Sequence, residues 1–158
     1  MRILQANLGT GGPAHDLLLS LEADVILVQE SLTDMAKQFT KTHPRYQLIS
    51  PTTCWEARPR ALTYVRRDLP AYPLPLPSSP EFVAACVSGL TIVNTYRVPG
   101  DLVSPHAPGS TLSTLHTLLQ YSPPENTIVA GDFNTRHPLW QPDTEPHTIT
   151  PGAVALIE

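Results

Sequence analysis

Short apolar runs, broken by glycine and proline, alternate with polar stretches along most of the chain. The first two runs, over 2–7 and 23–29, are rich in apolar and β-branched residues and predict strands. Between them, residues 14–21 follow a helical pattern, and Pro13 is well placed for the first turn of that helix. A strand, a helix and a second strand in direct succession favour the α/β class of folds.

The middle of the chain adds further predicted strands. These runs are 46–50, 61–65, 82–88 and 90–96. The last two flank Gly89 and are predicted to form a hairpin. Residues 32–42 carry a weaker helical pattern. Residues 69–80 contain five prolines, so we expect a stiff extended connector there rather than a paired strand.

The last third of the chain is expected to begin with a loop over 98–108 and a helix over 111–120, whose leucines share one face. A buried strand over 126–130 then runs directly into the sequence Gly-Asp-Phe-Asn. A polar loop broken by prolines is expected over 135–148, and a further helix is expected to start at residue 150.

Composition limits the class of protein. The 158 residues, 41% of them hydrophobic, are enough for one domain with a core. Ten basic and fourteen acidic residues give a net charge of −4, which excludes a polybasic, charge-driven nucleic-acid binder. An enzyme that meets a phosphate backbone through a metal ion remains compatible, because the cation inverts the local charge.

Compartment signals point to an intracellular protein. No apolar run is long enough to span a bilayer, and the first 20 residues show no secretory signal. The two cysteines, Cys54 and Cys86, form no CxxC pair, so the sequence indicates neither a disulfide scaffold nor a zinc ribbon.

The polar residues of greatest interest come where predicted strands end. They are Asn7, Glu30, Tyr96, Asp132 and Asn134. In an open α/β sheet the ligand crevice lies at the carboxyl ends of the strands, which gives these positions their interest. Taken singly, however, Glu30 also fits a solvated strand end, and Asn7 before Gly-containing sequence also fits a turn.

Asp132 and Asn134 are more informative because they are two residues apart at the end of one strand. If the extended conformation continues through them, both side chains point to the same side. The alternative is an Asx turn with a helix cap, and the residues alone favour neither interpretation.

Other side chains each permit two interpretations. His137 and His147 are interpreted as solvated loop histidines rather than as ligands. Trp140 could stack on a nucleobase or pack beneath its loop. Four arginines fit a solvated face better than a phosphate contact. They are Arg58, Arg60, Arg66 and Arg67.

Four short motifs occur in order along the chain. They are Gln5-x-Asn7-Leu8, Gln29-Glu30, Asn94-x-Tyr96-Arg97-x-Pro99 and Gly131-Asp132-Phe133-Asn134. Together they resemble the endonuclease/exonuclease/phosphatase superfamily, whose fold is DNase-I-like. Two further segments bring the resemblance nearest to the endonuclease domains of non-LTR retrotransposons. These are Ala14-His15-Asp16-Leu17-Leu18 and His137-Pro138-Leu139-Trp140, and the resemblance runs from residue 1 to residue 158.

This resemblance implies a fold and a set of roles. The fold would be α/β, a partial DNase-I-like four-layer α/β/β/α sandwich that comprises its first two-thirds. Asn7 and Glu30 would bind Mg²⁺ (or Mn²⁺). Tyr96 would orient or donate to the scissile phosphate, Asp132 would position or activate the attacking water, and Asn134 would hold phosphate and water in line. Phosphodiester cleavage does need charge neutralisation on the non-bridging oxygens and an oriented water.

The resemblance also implies a target and partners. The target would be duplex DNA in the nucleus, nicked to expose a 3′ hydroxyl for reverse transcription. The expected partners are this DNA and either the missing C-terminal segment or the reverse-transcriptase region of a parent polyprotein, with no membrane involved.

One element of the family pattern is missing. Family members carry a Ser-Asp-His motif near the end of the domain, and the sequence Ser-Asp-His does not occur within these 158 residues. We therefore expect residues 1–158 to be a C-terminally truncated domain of this type, weak or inactive as it stands. Two alternatives stay open: another phosphoesterase of the superfamily, such as an inositol-phosphate or sphingolipid enzyme, and a non-catalytic relic or binding module.

Overall fold

Two four-stranded sheets form the centre of the protein, seen in a computed structural model that describes residues 1–51, 55–75, 79–99, 124–149 and 153. The first sheet contains β1 (Ile3–Asn7), β2 (Val25–Gln29), β5 (Tyr46–Ile49) and β6 (Ala61–Arg66), in the order β1-β2-β6-β5. β1 and β2 are parallel and are connected by helix α1 (Gly12–Ser20), whereas β6 is antiparallel to both of its neighbours. The predicted strand–helix–strand unit is therefore confirmed.

The second sheet has the order β10-β9-β8-β7. Its strands are β7 (Ala71–Pro73), β8 (Phe82–Val87), β9 (Leu90–Tyr96) and β10 (Thr127–Asp132). β8 and β9 form the predicted hairpin. Its turn places Ser88 at φ 50° and Gly89 at φ 84°, and two positive φ angles in succession are the signature of the type I′ turn that favours glycine. β10 runs parallel to β9.

The main core lies between the two sheets, where apolar side chains from both inner faces meet. The first sheet contributes Val25, Leu27, Ile49, Ala61 and Val65, and the second contributes Val83, Ala85, Val87 and Ile92. On the outer face of the first sheet, Leu18 and Leu19 of α1 pack over Ile26 and Val28. Because both faces of β2 are covered, all five of its residues are buried. The predicted α/β class is confirmed, with helix, sheet and sheet layered in that order within the described residues.

Residues 32–42 do not form the predicted helix. They form a small hairpin of β3 (Thr33–Asp34) and β4 (Phe39–Thr40). The Asp34 carboxylate accepts the backbone N–H of Lys37 at 3.1 Å, and Gln38 has φ 49°, outside the helical region. A short acidic side chain that bonds its own backbone favours a turn over a helix, and this local bond outweighs the weak periodicity.

The expectation for residues 69–80 is also partly wrong. Within this stretch β7 pairs with β8, and Pro73 lies opposite Ala85. The pairing is possible because β7 is the edge strand of its sheet, where the missing N–H of a proline does not interrupt a second ladder.

A single 3₁₀ turn at Pro124–Asn126 leads directly into β10, and beyond β10 the described chain is the expected loop apart from a 3₁₀ turn at Pro146–Thr148. The helix predicted over 111–120 lies outside the described residues. So does the helix predicted from residue 150, except for Ala153, which is helical and buried.

Candidate active site at the carboxyl ends of four strands

Four strands end next to one another and bring the predicted site residues to one edge of the molecule. In the first sheet Asn7 lies opposite Gln29, so Glu30 follows directly beside it. In the second sheet Asp132 lies opposite Tyr96. The two sheets meet here, because the side-chain amide of Asn7 donates a hydrogen bond to Asp132 Oδ2 over 2.6 Å.

The end of β10 depends on a glycine. A Cβ atom on Gly131 would lie 1.8 Å from the carbonyl oxygen of Thr95 on the neighbouring strand, far inside any tolerable contact. A side chain at this position would therefore push β10 away from β9. The close approach of the two strands is what sets Asp132 beside the end of β9.

Asp132 and Asn134 form a turn and do not continue the extended conformation of β10. Asp132 Oδ1 accepts the backbone N–H of Asn134 at 2.9 Å, and Asn134 has φ 47°, so the chain forms an Asx turn immediately after β10. The Asn134 amide also donates to the carbonyl of Arg97 at 2.7 Å. The Asx turn therefore holds both side chains in place. Because it lies within the candidate site, the turn and a functional role are compatible.

Glu30 is held by its own backbone. Its φ is 48°, its N–H donates to the carbonyl of Arg60 at 2.9 Å, and its carbonyl accepts from Thr10 at 2.8 Å. Its carboxylate accepts a hydrogen bond from the guanidinium of Arg60 at 3.1 Å. The Glu30 carboxylate therefore lies at the end of β2, paired with the positively charged guanidinium of Arg60.

Tyr96 connects the two halves of the site. Its side chain is buried, and its hydroxyl interacts with the side chains of Glu30 and Asn134. Burial raises the pKa of the Tyr96 hydroxyl, and the negative charge of Glu30 and the hydrogen bond to it raise that pKa further. The phenol is thus held protonated, as a hydrogen-bond donor.

Three side-chain amides beneath the site form a chain that sequence reasoning did not interpret; Gln29 and Asn94 are buried, and Gln5 is its exposed end. Gln5 donates to Gln29, and Gln29 donates to Asn94. Asn94 in turn donates to the carbonyls of Leu62 at 2.8 Å and Val28 at 3.2 Å. These bonds cross from the first sheet to the second, so they align the ends of β1, β2 and β9, where Asn7, Glu30 and Tyr96 follow.

The four arginines do not form one patch. Arg66 pairs with Asp24 and Asp68, while Arg67 donates to the carbonyl of Pro44, in agreement with a solvated face. For Arg60 that interpretation is wrong. Its guanidinium contacts Glu30 and lies 5.7 Å from the centroid of the Tyr96 ring. No pattern in the sequence indicates this contact, because it depends on the antiparallel register of β2 and β6, which sets Ala61 opposite Gln29.

The loop after the site contains the remaining candidates. His147 is exposed and lies 3.4 Å from Glu145, as expected for a loop histidine. His137 accepts the N–H of Leu139 at 3.2 Å and lies 5.2 Å from the Trp140 ring, between centroids. Trp140 is 47% exposed and borders a cavity of about 690 Å³ that is also lined by Asp132 and Asn134.

The donor set at the site fits a hard divalent cation. Glu30 and Asp132 offer carboxylate oxygens, and Asn7 offers an amide oxygen that also accepts the N–H of Gly9 at 2.9 Å. Oxygen ligands with few carboxylates suit Mg²⁺, which keeps several of its waters. Among the described residues, no group of three or more His, Cys, Asp or Glu side chains that could hold a metal occurs. Within the same part of the chain, no helix is long and apolar enough to cross a membrane.

Comparison with known proteins gives a family match and several similar structures. Residues 90–153 match the family model described as Endonuclease-reverse transcriptase. Among curated proteins, no relative matches the chain. The endonuclease domain of TRAS1, a telomere-specific non-LTR retrotransposon, superposes with a TM-score of 0.74 at 20% identity, over 98% of this chain and 69% of that one.

Two further solved structures are similar. The catalytic domain of Xenopus laevis APE2 has a TM-score of 0.60 at 18% identity, over 99% of this chain and 67% of that one. The 3′-5′ exonuclease NExo from Neisseria meningitidis has a TM-score of 0.51 at 20% identity, over 85% and 58% of the two chains.

The fold is therefore that of the DNase-I-like endonuclease/exonuclease/phosphatase superfamily, and the partial α/β/β/α sandwich predicted from the sequence is confirmed. The similarity to the endonucleases of non-LTR retrotransposons, carried in the sequence by the short motifs, is likewise confirmed. These matches support a nuclease-like function of the superfamily kind.

Proposed function

We propose that this chain is a divalent-metal-dependent phosphodiesterase of the DNA-nicking type. The observation that carries the proposal is one continuous set of contacts at the strand ends. Asn7 donates a hydrogen bond to Asp132, Asp132 accepts one from the backbone of Asn134, and Tyr96 interacts with both Asn134 and Glu30. These are the residue types that phosphodiester hydrolysis requires: oxygen ligands, a carboxylate for a water and neutral donors for a phosphate.

Asn7 and Glu30 would hold Mg²⁺ or Mn²⁺. Both lie at the ends of neighbouring parallel strands, and their oxygens are hard ligands. When bound, the ion would neutralise charge on the non-bridging oxygens of a phosphodiester. Metal dependence belongs to the superfamily in general terms, and its assignment to these two residues is part of the proposal.

The other three residues would act on water and phosphate. Asp132 would orient or deprotonate the attacking water, because it is a carboxylate fixed by two hydrogen bonds. Asn134, held at the carbonyl of Arg97, would keep phosphate and water in line. Tyr96, whose raised pKa keeps its proton in place at neutral pH, would donate a hydrogen bond to the scissile phosphate.

We propose DNA as the substrate and a reverse-transcriptase context as the setting. The similar TRAS1 structure is the endonuclease domain of a telomere-specific non-LTR retrotransposon, and the matching family model is that of an endonuclease-reverse transcriptase. A nuclear DNA target and a partner region of a parent polyprotein follow from this setting.

The proposed activity is slow. The 158 residues contain no Ser-Asp-His sequence, so no histidine from that motif pairs with Asp132. A general acid–base partner typically contributes ~10²–10⁴-fold. We therefore propose that residues 1–158 act as an endonuclease/exonuclease/phosphatase-like domain without this part of the machinery.

Nicking of supercoiled plasmid DNA over long incubations, with Mn²⁺ present, tests the proposal. We expect slow conversion to the open circle, lost on chelation and in the Glu30→Gln and Asp132→Asn variants. Glu145→Gln is the matched control, because Glu145 is an exposed acid in the distal loop, and it should leave the rate unchanged. Nicking that survives both site substitutions would overturn the proposal. Phosphate release from an inositol phosphate, without DNA nicking, would favour another phosphoesterase of the superfamily.

A further inference from the structure

Arg60 contacts two residues of the candidate site but lies outside the sequence motifs. Its guanidinium Nη1 lies 3.1 Å from Glu30 Oε1, and its guanidinium carbon lies 5.7 Å from the centre of the Tyr96 ring. Both partners belong to the site described above. A guanidinium at that distance from an aromatic ring is attracted to it, so Tyr96 helps to keep Arg60 in place.

The main chain fixes this arrangement. Glu30 donates its N–H to the carbonyl of Arg60, and the antiparallel register places Ala61 opposite Gln29. Arg60 is thus delivered to Glu30 by the pairing of β2 and β6. The ion pair is also partly shielded, with the two side chains 36% and 24% exposed, so its electrostatic contribution is larger than at a fully solvated surface.

We infer that Arg60 is a resident cation that competes with the divalent metal ion for the Glu30 carboxylate. The inference rests on the proposed function, since it concerns the same metal site. A bound Mg²⁺ requires a carboxylate oxygen at about 2.0–2.1 Å. A guanidinium hydrogen-bonded to that carboxylate would then lie next to a doubly charged ion, and the two cations repel one another. Arg60 in its present position therefore opposes metal binding at Glu30, and a bound metal ion favours movement of the guanidinium away from the carboxylate.

Competition and a purely supporting role of Arg60 predict changes of opposite sign in metal affinity when Arg60 is removed. If Arg60 only orients Glu30, its removal loosens the carboxylate and weakens metal binding. If Arg60 competes, its removal frees the carboxylate and strengthens metal binding. The sign of the change in metal affinity separates the two, and it does not depend on catalytic activity.

Strand β6 offers a matched control at its other end. Arg66 is the last residue of β6, whereas Arg60 directly precedes the first; Arg66 carries the same charge but pairs with Asp24 and Asp68. Arg66→Gln therefore removes one positive charge from the protein without touching Glu30. Any change shared by Arg60→Gln and Arg66→Gln reports net charge rather than competition.

The experiment is a titration of the 158-residue chain with Mn²⁺ alone, followed by water-proton relaxation. We expect Arg60→Gln to bind Mn²⁺ roughly tenfold more tightly than the wild type, within the usual range for coupling between neighbouring sites. The Mn²⁺ affinity of Arg66→Gln should stay within about twofold of the wild type, because Arg66 lies at the other end of β6 and exposed, well-separated charges are screened by salt. Arg60→Lys keeps the cation and should keep most of the competition, and circular dichroism checks that every variant is folded.

Placing each substitution in a Glu30→Gln background completes the test. The gain from Arg60→Gln should disappear there, since no carboxylate remains to compete for. Unchanged or weaker Mn²⁺ binding in Arg60→Gln, or a gain that persists without Glu30, would overturn the inference while leaving the metal site intact. Absence of any Glu30-dependent Mn²⁺ binding in all variants would instead overturn the metal site of the proposed function, and this inference with it.

Discussion

The side-chain amide of Asn7 donates a hydrogen bond to the carboxylate of Asp132 across 125 positions of sequence, over 2.6 Å. Asn7 ends a strand of the first sheet and Asp132 ends a strand of the second. The bond therefore joins the two sheets at the edge where the candidate site lies. It also orients one oxygen of Asp132, while the other oxygen is held by the backbone of Asn134.

Asn7→Ala should lower both the free energy of unfolding and the affinity for Mn²⁺. The substitution removes the bond to Asp132 and the bond to the N–H of Gly9, and we expect a loss of about 1–2 kcal/mol. Urea denaturation measures it. Asn126→Ala, in the exposed 3₁₀ turn before β10, is the same substitution away from the site and should cost less than about 0.5 kcal/mol. Equal losses in the two variants would contradict the assigned bonds.

Gly131→Ala should be among the most damaging single substitutions in the chain. Its Cβ would lie 1.8 Å from the Thr95 carbonyl oxygen, so β9 and β10 must separate, and we expect a loss of more than about 3 kcal/mol. Gly9→Ala is the control. Gly9 also has a positive φ, 50°, but open space around its Cβ position, so only conformational strain of about 1 kcal/mol is expected. A Gly131→Ala protein as stable as Gly9→Ala would refute the close strand contact.

Local pattern predicted much of this fold, and its failures share one cause. The strand–helix–strand unit and the β8–β9 hairpin depend on neighbouring residues, and both are confirmed. The helix proposed over 32–42 and the unpaired connector over 69–80 failed because turn bonds and edge pairing outweighed composition. Which strands become neighbours is not local information.

The same reason explains the site. Residues at strand ends could be proposed in advance, because parallel strands gather their carboxyl ends at one edge. Arg60 could not, because its contact with Glu30 depends on the register of two antiparallel strands. Gln29 and Asn94 both occur in the short sequence motifs. Only the packing of the two sheets brings their buried amides into one hydrogen bond.

Gln29→Leu should destabilise the protein although it keeps the side-chain size. Gln29 is fully buried between Gln5 and Asn94, so a leucine leaves the carbonyl oxygen of the Asn94 side chain without its buried donor. We expect a loss of about 2–3 kcal/mol, measured by urea denaturation. Gln5→Leu changes the exposed end of the same chain and should cost clearly less. The reverse order would show that the amide chain does not hold the sheets together.

His15 should make stability depend on pH in the acidic range. Its ring is buried, its Nε2 hydrogen-bonds to the Tyr64 hydroxyl at 3.0 Å, and no partner for Nδ1 is found among the described residues. Burial lowers the pKa of His15 from 6.5 to about 4. The unfolded chain therefore takes up a proton below about pH 6.5 that the folded protein refuses until about pH 4. The free energy of unfolding should fall as pH decreases through this window and should be insensitive to His15 above it.

His15→Gln checks this, because glutamine can still donate to Tyr64 but does not titrate. Thermal unfolding of both proteins between pH 7.5 and pH 4 gives the comparison. The difference in stability between the wild type and His15→Gln should shift against the wild type as the pH falls. A difference that stays constant with pH would show that His15 has an ordinary pKa in the folded state.

Trp140→Ala should distinguish the two interpretations that the sequence left open for this side chain. The indole is 47% exposed, its N–H donates to the Thr135 carbonyl at 3.2 Å, and it lines the cavity beside Asp132. A ring that stacks on a nucleobase contributes about 1–3 kcal/mol to binding, so the variant should bind a short single-stranded oligonucleotide roughly tenfold more weakly. If the ring mainly packs beneath its loop, its removal should instead lower the melting temperature and leave that affinity unchanged.

Tyr72→Ala is the control. It removes an exposed aromatic ring on the edge strand of the second sheet and should change neither the affinity nor the melting temperature by a comparable amount. Fluorescence anisotropy and a thermal melt on the same three proteins decide between the two, and we expect the affinity to fall while the melting temperature holds.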